Sequence, residues 1–175
     1  MKDIWLISDT HFNHENIIKY CDRPYTNADH MNEDLIEKWN SVVKPGDKVY
    51  HLGDVFMGGG EKAYDIHKRL LGKKRLILGN HDDPNHAVIR KWYQKVSLWR
   101  DFRDYGLVLS HIPLHPSAIK KGRINVHGHI HNHRSPDGPY LCVCVEQIDY
   151  TPIHIEEVRD KARKIAKEYG LDFTG

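Results

Sequence analysis

The chain has 175 residues, 39% of them apolar and 29% charged, with a mean hydropathy of −0.64. That length fits one domain with its own core and no separate capping domain, and the composition excludes a membrane-embedded chain and most disordered ones. The net charge of +2 hides a basic middle: residues 61–134 carry 15 Lys/Arg against 6 Asp/Glu, while residues 1–60 carry 6 against 10 and residues 135–175 carry 5 against 8.

Residues 4–8 are a continuous apolar run, the pattern of a buried strand. Asp9 interrupts that run too early for a signal peptide. Met31, Leu35, Ile36, Trp39 and Val43 have helical spacing and predict a helix over 27–43. A turn at 44–47 leads into a strand at 48–52, then Gly53 and Asp54. A flexible loop over 57–60 precedes a helix over 61–71, which Gly72 stops. Residues 75–78 are a third strand, followed by Asn80, His81 and Asp82. A short helix over 84–93 follows, with Pro84 in its first turn. Residues 95–110 read as two or three short strands, the last being 107–110, and 124–126 as another. Alternation predicts a strand over 140–148, and an amphipathic helix over 156–169 ends at Gly170.

Cys142 and Cys144 fall on one face of that last strand and read as small buried hydrophobes rather than metal ligands. Three cysteines in all favour a reducing cytoplasm over a disulfide framework. No apolar run approaches the roughly 20 residues of a membrane-spanning helix.

Strands alternate with helices first and dominate later, which predicts a layered α/β fold. In such sheets ligands bind beyond the carboxyl ends of strands. There stand Asp9 and His11; Asp54; Asn80, His81 and Asp82; His111; and His129 and His131. Histidine is abundant, 14 in 175 residues. Each block alone is a weak signal, but five at successive strand ends are not. Imidazole and oxygen ligands without thiolate suit manganese, iron, zinc, cobalt or nickel. Four imidazoles, two carboxylates and an amide are too many for one ion and fit two that share a carboxylate. Two such ions clamp a phosphate and generate hydroxide between them.

The blocks Asp9-Thr-His11, Gly53-Asp54, Gly79-Asn-His-Asp82, Ser110-His111 and Gly128-His-Ile-His131, in this order, resemble those of the calcineurin-like metallophosphoesterases. The resemblance implies a two-sheet β-sandwich flanked by helices. It also implies a hydrolase of phosphoesters whose metal-bridging hydroxide attacks phosphorus in line. Asp9, His11 and His131 would hold one divalent ion, with manganese foremost. Asn80, His111 and His129 would hold the second, and Asp54 would bridge. His81 would contact the phosphate and protonate the leaving oxygen, and Asp82 would orient His81. The protein-phosphatase branch carries an Arg shortly after its Gly-Asp block. Val55, Phe56 and Met57 stand here instead, which favours a phosphodiesterase over a phosphomonoesterase or protein Ser/Thr phosphatase. A metal-free scaffold would need a broken ligand set, and none of these residues is missing.

Three further residues have two readings each. His14 faces the phosphate or lies at the surface. Arg23 grips a substrate phosphate or pairs at a helix end. His115 lies at the rim or outside the site. His127 reads as a core or supporting residue. The basic runs at 73–75 and 120–123 would draw in a nucleotide or nucleic-acid end, or are simply solvated turns.

Overall fold

An apolar strand needs cover on both faces, and β1 (Ile4–Ile7) has it. Ile4 and Leu6 enter one buried cluster, and Trp5 and Ile7 join a second on the opposite side. The computed structural model describes residues 2–175. Its first sheet has the order β4-β3-β2-β1-β9. There β2 (Lys48–His51), β3 (Lys73–Ile77) and β4 (Tyr93–Ser97) run parallel with β1, and the short β9 (Ile153–His154) lies antiparallel at the edge. The second sheet has the order β5-β6-β7-β8. In it β6 (Leu107–Ser110), β7 (Ile124–His127) and β8 (Tyr140–Cys142) are parallel and β5 (Trp99–Phe102) is antiparallel to β6.

Between the sheets, Leu6, Tyr50, Leu52 and Ile77 meet Leu107, Leu109, Ile124 and Val126. Four further helices are α1 (Glu15–Tyr20), α2 (Ala28–Val42), α3 (Glu61–Arg69) and α4 (Ala87–Trp92). Their apolar stripes cover the outer face of the first sheet, with Trp39 and Met31 fully buried. The last helix, α5 (Ile155–Glu168), packs on β9, β1 and β8 and adds Val158, Ala162 and Ala166 to the inter-sheet core. The outer face of the second sheet is covered by loops. The Leu114 N–H donates to Asn125 Oδ1 at 2.8 Å, and His127 Nε2 pairs with Ser135 Oγ at 3.0 Å.

The predicted elements are present, with informative differences at their ends. Asn27 caps α2 by accepting from the His30 N–H at 2.8 Å. The fourth helix begins at Ala87 rather than 84, because His86 caps it by accepting from the Val88 N–H. The strand expected over 140–148 stops at Cys142. Cys144 forms an isolated bridge with Ser8, the Val145 N–H donates to Ser8 O at 3.1 Å, and Val145–Gln147 turns as a 3-10 helix. The chain crosses there from the second sheet to the end of β1. The helix α1 and the edge strand β9 carry too few residues to show a period.

Two histidines are structural. His51 lies under Trp39, accepts the Gly53 N–H at Nδ1 and meets Thr10 Oγ1 at 2.9 Å through Nε2. His67 contacts Ala63 O and Tyr93 Oη. Burial pushes them down to about 3 and about 4 from an ordinary 6.5. Both stay neutral in the fold, whereas the unfolded chain protonates them below 6.5. Stability from this source is therefore complete above pH 6.5 and falls as pH drops toward the folded values, by up to about 1.4 kcal/mol per pH unit for each group. Urea midpoints measured in chelator should fall between about pH 7 and about pH 5; equal midpoints would contradict buried neutral rings.

Candidate metal centre

Parallel strands in both sheets place five loops at one end of the sandwich. Three groups of ligand-type atoms lie within 4.8 Å among the described residues: Cys21 with His131 and Glu146, and the two clusters of the expected ligands, Asp9 with His11 and His131, and Asp54 with His111 and His129. Asp54 Oδ2 lies 3.6 Å from His11 Nε2 and 3.4 Å from His111 Nε2, so it stands between the clusters. Asn80 Oδ1 joins the second at 3.0 Å from His111 Nε2.

The loops reach this arrangement through strained backbone. Asp9, His11, Asp54, His129 and His131 have φ of 58°, 48°, 56°, 71° and 50°, in the left-handed region. Such residues cost on the order of 1–3 kcal/mol each and persist only where surroundings over-determine them. Here the loops brace one another. The Asp9 N–H donates to Gly53 O at 2.9 Å, the His11 N–H to Asp54 O at 3.1 Å, and the His129 N–H to Asp9 Oδ2 at 2.9 Å. A Cβ at Gly79 would overlap Asp54 Oδ1, and one at Gly128 would overlap Asp9 Oδ2. Glycine at both positions lets a neighbouring loop approach a carboxylate.

Hydrogen bonds on the far side of each ring aim lone pairs inward. His111 Nδ1 donates to Leu52 O at 2.7 Å, which turns Nε2 toward Asn80 Oδ1, His129 Nδ1 and Asp54 Oδ2. A single proton would satisfy one of these contacts, whereas a divalent ion satisfies all of them. His131 Nδ1 donates to Glu146 Oε1 at 3.0 Å, and its Nε2 points to Asp9 Oδ1 at 3.8 Å. Asp9 Oδ1 and His11 Nε2 are buried with no hydrogen-bond partner. Burial pushes the Asp9 carboxyl up and the His11 imidazole down to about 2. A carboxylate charge in this corner requires an adjacent cation, and a neutral imidazole is the form that ligates one. The donor set thus fits two divalent ions.

The family model described as calcineurin-like phosphoesterase matches residues 2–169. The chain belongs to the calcineurin-like phosphoesterase family. It is a metal-dependent hydrolase of phosphoesters with the α/β double-sheet fold of that family. An uncharacterised protein of Methanocaldococcus jannaschii is 36% identical over 165 residues, with 89% of each chain covered. The Gene 66 protein of Mycobacterium phage D29 is 31% identical over 163 residues, covering 75% of this chain and 80% of the phage protein. The crystal structure of a protein of unknown function, AQ665, from Aquifex aeolicus superposes with a TM-score of 0.74 at 27% identity, over 92% of this chain and 99% of that one.

One residue of this phosphoesterase, Asp82, lies where the sequence did not lead us to expect it, and Arg23 takes the ion-pair alternative of its two readings. Arg23 does not line the cleft. Its guanidinium is fully buried, donating to Asp9 O at 2.7 Å, to Thr10 O at 2.9 Å and to Glu146 Oε1 at 2.7 and 2.9 Å. A buried guanidinium needs this saturation, and none is left over for substrate. Asp82 does not orient His81. Its two oxygens accept the N–H groups of Asp54, Val55 and Gly79 at 2.8–3.0 Å, clamping the loops after β2 and β3 together. His81 is exposed, its N–H donates to Asp54 Oδ1, and its ring centroid lies 5.6 Å from that of His11. His14 Nδ1 sits 3.2 Å from His11 Nδ1 at the rim. His115 is exposed and bonded to Ser117, outside both clusters, and His127 is buried behind Gly128.

Two supporting residues carry no sequence signal. Glu146 receives both Arg23 and His131, so one carboxylate joins the Asp9 loop to the His131 loop. The Cys144 thiol donates to Asp9 Oδ2 at 3.3 Å, and burial pushes it up, keeping it protonated. Replacing Glu146 by Gln leaves Arg23 buried without its counter-charge. Breaking such a pair costs about 3–5 kcal/mol, and losing the partner of a ligating His costs about 10–100-fold in metal affinity. Thermal denaturation in chelator and Mn²⁺ titration calorimetry should show both losses in Glu146→Gln; unchanged Mn²⁺ affinity would remove Glu146 from the support of His131.

Proposed function

We propose that this phosphoesterase is a phosphodiesterase acting on small or nucleotide-type diesters. Asp9, His11 and His131 would hold one divalent ion, Asn80, His111 and His129 the other, with Asp54 between them and manganese as the preferred metal. Bound there, the ions would supply polarisation of the phosphoryl oxygens and an activated water. The chain's own groups do the rest. The exposed His81 protonates the leaving oxygen, and His14 beside His11 contacts the phosphoryl group. Asp82 keeps the His81 loop in place. The three free, buried cysteines fit a reducing compartment such as the cytoplasm. Among the described residues no helix is long and apolar enough to cross a membrane.

One observation carries the preference for diesters. A monoester dianion calls for cationic side chains beyond the metals, and three of those the sequence offered are engaged elsewhere. Arg23 is saturated by Glu146 and two carbonyls. Lys120 and Arg123 pair with Asp101 at 3.4 and 3.7 Å. After Asp54 come the buried Val55 and Phe56. A diester monoanion is matched by two ions and the imidazoles of His81 and His14.

At saturating Mn²⁺, kcat/KM should be higher for bis(4-nitrophenyl) phosphate than for 4-nitrophenyl phosphate; the reverse order would overturn the diesterase assignment. Metal analysis should find two ions per chain. Asp54→Asn should lose more metal than Asp9→Asn, because Asp54 faces both clusters, and equal losses would argue against bridging. His81→Ala should keep both ions and lose about 10²–10⁴ in rate. The loss should be least for nitrophenolate, which leaves without a proton. A metal-depleted His81→Ala protein would make His81 a ligand.

A further inference from the structure

A cavity of about 180 Å³ opens beside His81, with walls from Phe56, Met57, Asp83, His86 and Ile89. His81 separates it from the metal clusters. Its ring lies 5.6 Å from the His11 ring on one side, and it forms a wall of the cavity on the other. A group that leaves with a proton from His81 therefore has this cavity next to it.

The walls have a definite chemistry. Phe56 and Ile89 are buried and make an apolar floor. The His86 ring meets Phe56 edge-on, with centroids 5.0 Å apart. Met57 adds a polarisable thioether, which packs well against flat rings. His86 Nδ1 accepts the Val88 N–H at 3.2 Å, so the neutral ring carries its proton on Nε2. That nitrogen faces Gly59, the neighbour of the lining Gly58, and a Cβ on Gly59 would come within 2.8 Å of it. Asp83 Oδ1 accepts the Asn85 N–H at 2.9 Å, and the carboxylate retains capacity for further donors. The cavity thus offers one ring N–H donor and one carboxylate acceptor above an aromatic floor. A nucleobase has the complementary parts: a ring nitrogen acceptor, an amino donor and a stacking face. Asp83 at the rim opposes a further phosphate or carboxylate.

We propose that this cavity seats the leaving-side substituent of the ester, and that the substituent is a flat heteroaromatic base carried by a nucleoside; the assignment rests on the phosphodiesterase function proposed above. The site then reads phosphorus at the metal clusters and the base on the far side of His81.

Binding tests the cavity apart from the chemistry. Adenosine, with ribose as control, is titrated into the isotope-labelled full chain without added metal. Amide shifts should cluster on Met57, Asp83, His86 and Ile89 and saturate with adenosine alone. His86→Ala should weaken binding about fivefold, the worth of one neutral hydrogen bond, and Asp83→Asn by at least about as much, since a charged acceptor becomes a neutral amide. Asp83→Asn keeps the backbone contact of Asn85 and guards against a folding defect in His86→Ala. Absent shifts at millimolar adenosine would overturn the proposal. So would shifts confined to a second, larger cavity, about 530 Å³ between Trp5, His154 and Lys161. Saturable binding here by a protein whose Mn²⁺ form cleaves no diester would uphold the cavity and remove the proposed function. Diester cleavage without adenosine binding would do the opposite.

Discussion

Lone pairs and carboxylates crowded together repel one another, and this fold gathers seven such side chains at one end of two sheets, with Asp9, His11, Asp54 and His111 buried and Asn80 and His129 open to solvent. The backbone strain, the close-packed glycines and the buried ion pair all serve that convergence. Without a compensating cation the cluster is a net cost to the fold. With two divalent ions it becomes a source of binding energy. The same atoms that burden the metal-free protein are those that define its chemistry.

The scaffold holds the cluster by bracing each loop against another. Asp82 spends its oxygens on three backbone amides and locks the loops after β2 and β3. Arg23 and Glu146 do the same for the loops after β1 and β7. His51 supports Thr10 from below through the core. These side chains make few contacts with the cleft itself. Their effect is positional, since an imidazole displaced by a fraction of an ångström no longer points its lone pair at the shared site.

The diester preference proposed above would follow from what the scaffold uses up. Cations engaged in bracing the loops or in surface pairs are not free to meet a second phosphate charge. The cleft that remains is lined by imidazoles, and the cavity beyond His81 extends it on one side. In the proposed reading, charge is concentrated at the two ligand clusters and the flanking surfaces select by shape and hydrogen bonding.

The sequence by itself determined the layered fold and the identity of the converging residues. Apolar runs ending in Asp9, Asp54, Asn80, His111 and His129 are local signals, because a strand buries its side chains by period and releases the chain at its end. It also marked the helices with clear apolar stripes, such as that of Met31, Leu35 and Trp39. Other features rest on contacts between residues far apart in the chain. Arg23 and Glu146 are 123 residues apart, and nothing near either predicts the other. Asp82 adjoins His81 in sequence, yet its carboxylate turns toward three amides that only the folded loops bring within reach. The expected strand over 140–148 breaks at Cys142 because Cys144 and Val145 find their partner in Ser8 of the other sheet. Local periodicity encodes which side chains reach the end of the sandwich; which of them join the two ligand clusters and which brace the loops is decided by long-range hydrogen bonds and charge pairing in the closed fold.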